Sequence, residues 1–178
     1  MVAALAGAAG CGSSSSTSTT TSENASSART DWANSLCGAL VTWRSDVKSV
    51  GTQLKNGDIR SKSAIAGAAD QLENSTKTLV DSLKSLGTPP TPGAEQAKAD
   101  IDQLSQQLSN GADELKTEAS GVSDAQGVLT AVSSASTTVS AMAKDVSATL
   151  TKLKSVDAQG AWKQAFSQAS QCKTLSGS

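Results

Sequence analysis

The chain has 178 residues, 15 Lys and Arg against 16 Asp and Glu, no His, three Cys, three Trp, one Phe and no Tyr. A formal net charge of −1, with Lys48, Lys55, Arg60 and Lys62 the nearest approach to a basic cluster, leaves no electrostatic footprint for nucleic acid. Without His the usual nucleophile–base pairs cannot be assembled, and a metal site loses its commonest nitrogen ligand.

The first ten residues are apolar and small, and Leu5-Ala6-Gly7-Ala8-Ala9-Gly10 leads directly into Cys11. This resembles the lipobox of bacterial lipoproteins, in which the cysteine becomes the lipidated first residue of the mature chain. Ala8 stands where that family usually has Leu, and no Lys or Arg precedes Arg29, so residues 1–10 read as a partial lipoprotein-type signal peptide. The alternative is an ordinary secretory peptide with an incidental cysteine. The apolar run falls far short of the roughly 18 residues of a spanning helix.

Residues 13–22 are Ser or Thr without exception, and the sequence stays polar to about Thr30. Such a stretch has too little apolar surface to offset the entropy of ordering it, so 11–30 is expected to be a disordered tether, open to O-glycosylation.

From Asp31 the composition changes and a helical period begins. Trp32, Leu36, Leu40, Trp43, Val47, Val50 and Leu54 make one apolar stripe, which predicts a first helix. Asn56-Gly57-Asp58 reads as a turn with Asp58 as the next N-cap. The second stripe is Ile65, Ala69, Leu72, Thr76, Leu79, Leu83 and Leu86. It stops at Gly87-Thr88-Pro89-Pro90-Thr91-Pro92-Gly93, which holds every proline of the chain and serves either as a plain helix connection or as a stiff loop for a partner. A third stripe follows as Ala97, Ile101, Leu104, Leu108, Gly111, Leu115 and Ala119. The fourth is Ala125, Val128, Val132, Ala135, Val139, Met142, Val146, Thr149, Leu153 and Val156.

Short connections between long helices make neighbours antiparallel, and a repeat of about 3.5 residues calls for a left-handed supercoil. The expected fold is all-α: an up-down-up-down four-helix bundle over 31–178. Past Asp157–Gly160, Trp162, Phe166 and Ala169 keep a helical spacing, so a short fifth helix folds back to where the first begins. That return brings Cys172 to Cys37. With Cys11 lipidated the remaining count is even, and exported chains oxidise such pairs; two unlinked buried thiols are the alternative.

Trp32, Trp43, Trp162 and Phe166 should gather near the disulfide end, either lining a small apolar pocket or filling the core where Ala and Ser cannot. Met142, among small residues, faces a cavity or fills a gap. The acidic pairs Asp100/Asp102 and Asp113/Glu114 are one or two apart on a helix and do not converge on one site, so no catalytic residue is assigned and no cofactor is expected.

Ala9-Gly10-Cys11, the Ser/Thr stalk, the Trp32/Cys37/Trp43 opening, the Leu86-Gly87-Thr88-Pro89 turn and the late Cys172 resemble the uncharacterised small helical secreted lipoproteins of actinobacteria. The resemblance implies a membrane-tethered protein outside the cytoplasm and no particular activity. Two functions are then expected. One is a non-enzymatic lipid-anchored bundle that binds another envelope component, protein or polymer, through its helix faces. The other is a carrier or sensor of a small apolar ligand between the helices, whose mark would be facing seams rich in Ala and Ser.

Overall fold

The computed structural model describes residues 17–55, 61–90, 93–157 and 160–177, and every regular element in them is helical. The long elements are α1 (Thr17–Lys55), α2 (Lys62–Ser85), α3 (Ala94–Ser120) and α4 (Ala125–Ser155); two short ones, α5 (Ala161–Gln168) and α6 (Ser170–Gly177), close the chain. The signal-like segment and Cys11 lie outside the described residues.

Helix α1 reaches back to Thr17, well into the stretch expected as a disordered tether. A helix whose Trp32–Val50 portion is packed is already nucleated, and each further turn adds backbone hydrogen bonds without needing a buried face. Side chains assist: Ser27 Oγ donates to the Asn24 carbonyl (3.0 Å) and Thr30 Oγ1 to that of Ser26 (3.1 Å). The cap of α2 is Ser61, whose Oγ accepts from Ala64 N at 3.2 Å; Asp58, expected in that role, lies outside the described residues. Asp124 caps α4 by accepting from Gly127 N at 2.7 Å. The expected single fifth helix is two, because Ala169 is extended (ψ 118°) between α5 and α6.

The stripes of α2 and α3 pack as read: Ile65, Leu72, Leu79 and Leu83 meet Ile101, Leu104, Leu108 and Leu115, all buried. Seams run between α1 and α2, α2 and α3, and α3 and α4, while α5 and α6 both lie on α1. Among the described residues no comparable seam joins α1 to α4. Within the Pro-rich connection Pro89 is fully buried, whereas Gly87, Thr88 and Pro90 are exposed. Gly93 follows it at φ 81°, and a Cβ there would stand 2.6 Å from Val156 Cγ1, so only glycine lets this turn sit against the end of α4.

Cys37 and Cys172 are disulfide-bonded, with Cα atoms 4.9 Å apart, joining α1 to α6. Asn34, one turn earlier, accepts from Gln171 N (3.0 Å) and Ser170 Oγ (3.1 Å) and so caps α6. Arg44 Nη1 donates to the Leu175 carbonyl at 2.8 Å. The C-terminal pair of helices is thus strapped along one side of α1.

Candidate functional site

The missing seam has a cause in the composition of α4. Between Leu129 and Leu150 that helix carries no Leu, Ile or aromatic residue, only Val, Ala, Ser and Thr besides Met142, Lys144 and Asp145. Where α4 meets α3, this slenderness is matched: Met142 lies against Gly111, at which an added Cβ would come within 2.9 Å of Met142 Cγ and Sδ. Met142 is therefore a gap-filler of the α3/α4 seam and lines none of the clefts described below. Docked this way, α4 buries Ala131, Thr138, Met142 and Val146, and leaves the expected stripe positions Val128, Val132, Ala135 and Val139 only partly covered.

Of these, Val132, Ala135 and Val139 face α1 across an open groove. One cleft of about 330 Å³ is walled by Val47, Val50 and Gly51 of α1 and by Val132, Ala135, Ser136, Val139 and Ser140 of α4, with Leu72 of α2 as its floor. A second, about 320 Å³, continues it through Leu40, Trp43, Arg44, Ala143, Val146, Ser147 and Leu175, sharing Val47 with the first. Both lie near the lower end of ligand-pocket sizes. Ser140 on the lip donates its hydroxyl to the Ser136 carbonyl (2.7 Å), so this polar group is spent on its own helix.

The aromatic residues divide. Trp32 and Trp162 meet edge-on with ring centroids 5.1 Å apart, and Phe166 lies 5.7 Å from Trp162, forming a buried cluster beneath the α5 strap. The indole nitrogens of Trp32 and Trp162 are buried without an acceptor. Trp43 does not join them. Eleven positions on, it is about 16 Å further along the helix, where its Nε1 donates to Thr76 Oγ1 at 3.1 Å and its ring forms part of the groove wall.

At the far end the groove adjoins a smaller, mostly apolar hollow bounded by Val50, Ile65, Leu72, Leu115, Ala131 and Glu118. Glu118 Oε2 is buried without a hydrogen-bond partner. Burial first, then repulsion from Glu114, pushes its carboxyl above the usual carboxylate range, against a smaller opposing effect of a Ser134 hydrogen bond. An acid with a raised native pKa holds its proton longer folded than unfolded, so its ionisation removes stability as pH rises through that window. Glu118→Gln should therefore melt about 2 °C higher than the parent near pH 7.5 and equally near pH 3.5. Thermal melts at the two pH values check this; the same gain at both would refute it.

Asp100 is buried rather than solvated and accepts from Gln96 Nε2 at 3.3 Å, while its neighbour Asp102 pairs with Lys98. Asp113 and Glu114 are exposed. Among the described residues there is no group of three or more His, Cys, Asp or Glu fit to hold a metal ion, and no helix long and apolar enough to cross a membrane. The composition of α4 was the available sequence signal for the groove: a long apolar stripe drawn only in Val and Ala, bordered by Ser, cannot close two seams at once. No protein-family model matches the chain, and no curated protein or solved structure is similar enough to it to indicate a relative.

Proposed function

We propose that this protein is a non-enzymatic lipoprotein held by Cys11 to the outer face of a bacterial cell membrane, and that it binds a small apolar ligand from the envelope along the α1/α4 groove. Its long helices would run up-down-up-down with a left-handed supercoil, the fourth seam being left for the ligand. The observation that carries this reading is the open groove itself, walled mainly by apolar side chains, with Arg44 on the α1 side, and bordered by the Ala- and Ser-rich face of α4. Recognition of an envelope protein or polymer through the helix faces has less support, because among the described residues Leu129, 66% exposed, is the one large hydrophobic side chain left mostly in solvent.

The neutral apolar fluorophore N-phenyl-1-naphthylamine tests it. The full chain should bind the dye at a single site, and Val139→Trp, which places an indole in the groove from a half-covered position, should weaken binding at least tenfold with the helical spectrum unchanged. At about 0.8 kcal/mol per buried methylene, excluding even two or three methylene equivalents gives such a loss. Ser140→Trp, on the exposed lip, supplies a second block should Val139→Trp unfold. Absence of saturable binding, or equal affinity in folded Val139→Trp and Ser140→Trp proteins, would sink the ligand reading.

A further inference from the structure

Beyond the Leu40 end, the groove widens into a hollow of about 550 Å³ that shares Leu175 with it and is bounded by Lys154, Lys163 and Lys173, with the disulfide and Phe166. These lysines come from three helices, α4, α5 and α6, so the fold and not a local run of sequence brings them together. None of the three forms an ion pair with a described residue, the ion pairs found there being Lys98–Asp102 and Lys116–Glu73. Lys154 Nζ stands 5.9 Å over the ring of Phe166. Residues 160–178 contain Lys163 and Lys173 and no Asp or Glu, and the nearest acid in sequence, Asp157, already accepts from Ala161 N at 2.9 Å. In a chain of net charge −1, three ammonium groups around one hollow, with no Asp or Glu among the described residues that line it, are a local excess of positive charge that an anion would relieve.

We infer that the groove takes a single-chain anionic amphiphile, its alkyl tail between α1 and α4 and its phosphate or carboxylate head among Lys154, Lys163 and Lys173. This rests on the groove being a ligand site and adds the class of the ligand and its direction. The groove wall from Cys37 to Gly51 on α1, apolar but for Arg44, whose Nη1 donates to the Leu175 carbonyl, measures about 21 Å at 1.5 Å per residue, a length suited to one extended chain. Its opposite end adjoins the hollow of Glu118, whose carboxylate would repel a head placed there. Charge therefore fixes head at the disulfide end and tail toward Val132.

Displacement of N-phenyl-1-naphthylamine from the full chain separates the possibilities, using dodecyl phosphate, dodecanoate, dodecanol and inorganic phosphate as competitors. Dodecyl phosphate and dodecanoate should displace the dye at concentrations about tenfold lower than dodecanol, in keeping with a few exposed charge pairs of modest strength each. The advantage should shrink with added salt. Lys154→Ala/Lys163→Ala/Lys173→Ala should abolish it while leaving dye and dodecanol affinity as they were. Equal displacement by dodecanol and dodecyl phosphate would overturn the charged head and leave the apolar site standing, as would an anion preference that survives the triple substitution. Inorganic phosphate bound as tightly as dodecyl phosphate, without displacing dye, would make the lysines an anion site unconnected with the groove and equally overturn the inference. No dye binding at all would remove the ligand site and this inference together.

Discussion

Cys37→Ala lowers the melting temperature by about 10–20 °C relative to the oxidised parent. The bond closes a loop with a sequence separation of 135, for which the chain-entropy account gives about 5 kcal/mol, and a domain of this size loses roughly 2–4 °C per kcal/mol. Besides the bond, α6 is held to α1 by the Asn34 cap, the Arg44 bond to the Leu175 carbonyl, and packing that includes Leu175, which is itself only partly buried. Alanine is the better probe than serine, since Cys37 is 1% exposed and a hydroxyl there would add its own burial penalty. Circular dichroism melts with and without reductant check the result: reduced parent and oxidised Cys37→Ala should melt together, well below the oxidised parent. A difference under about 3 °C would mean that packing alone docks the C-terminal helices.

The parts of this fold legible in sequence are those where one residue type decides the outcome. In α2 and α3 the apolar stripes contain Leu or Ile at nearly every turn, and Ile65 through Leu83 and Ala97 through Ala119 are buried as their spacing predicts. Asp124 and the turn at Gly121 bound α4 with ordinary cap chemistry. The stripe of α4 reads equally well on paper, yet a period cannot say which of two neighbouring helices will claim a small side chain. Gly111 settles it, because the space it leaves draws Met142, and α4 with it, toward α3. The groove follows from that choice, and so does the separation of Trp43 from the other aromatics, which spacing along α1 implied but the expectation of one cluster passed over. The extension of α1 to Thr17 lies beyond a hydrophobic pattern altogether, for a helix continued from a packed segment needs no stripe. The three-lysine mouth is illegible for a different reason: Lys154, Lys163 and Lys173 are ordinary surface residues until the disulfide and the break at Ala169 fold three helices around one hollow.

Trp162→Ala should cost about 3–5 kcal/mol, the usual range for removing a large aromatic from a core, and lower the melting temperature by roughly 10 °C or more. Trp162 is 0% exposed and lies between Trp32 of α1 and Phe166 of its own helix, so it is the principal anchor of α5. Trp162→Phe should lose far less, because it keeps a ring and removes an indole N–H that is buried without an acceptor. Trp162→Ala and Cys37→Ala act on the same docked unit through different helices, which makes their combination informative. If α5 and α6 dock together, the double variant should melt well above the additive expectation, since the second change removes contacts that the first has already loosened. Strict additivity would show that each helix docks alone. The same coupling bears on the ligand: Lys163 and Lys173 are carried on α5 and α6, so a strap that comes undone takes the anionic-head preference with it, while Val132, Ala135 and Val139 keep their place on α4 and the neutral dye still finds its groove.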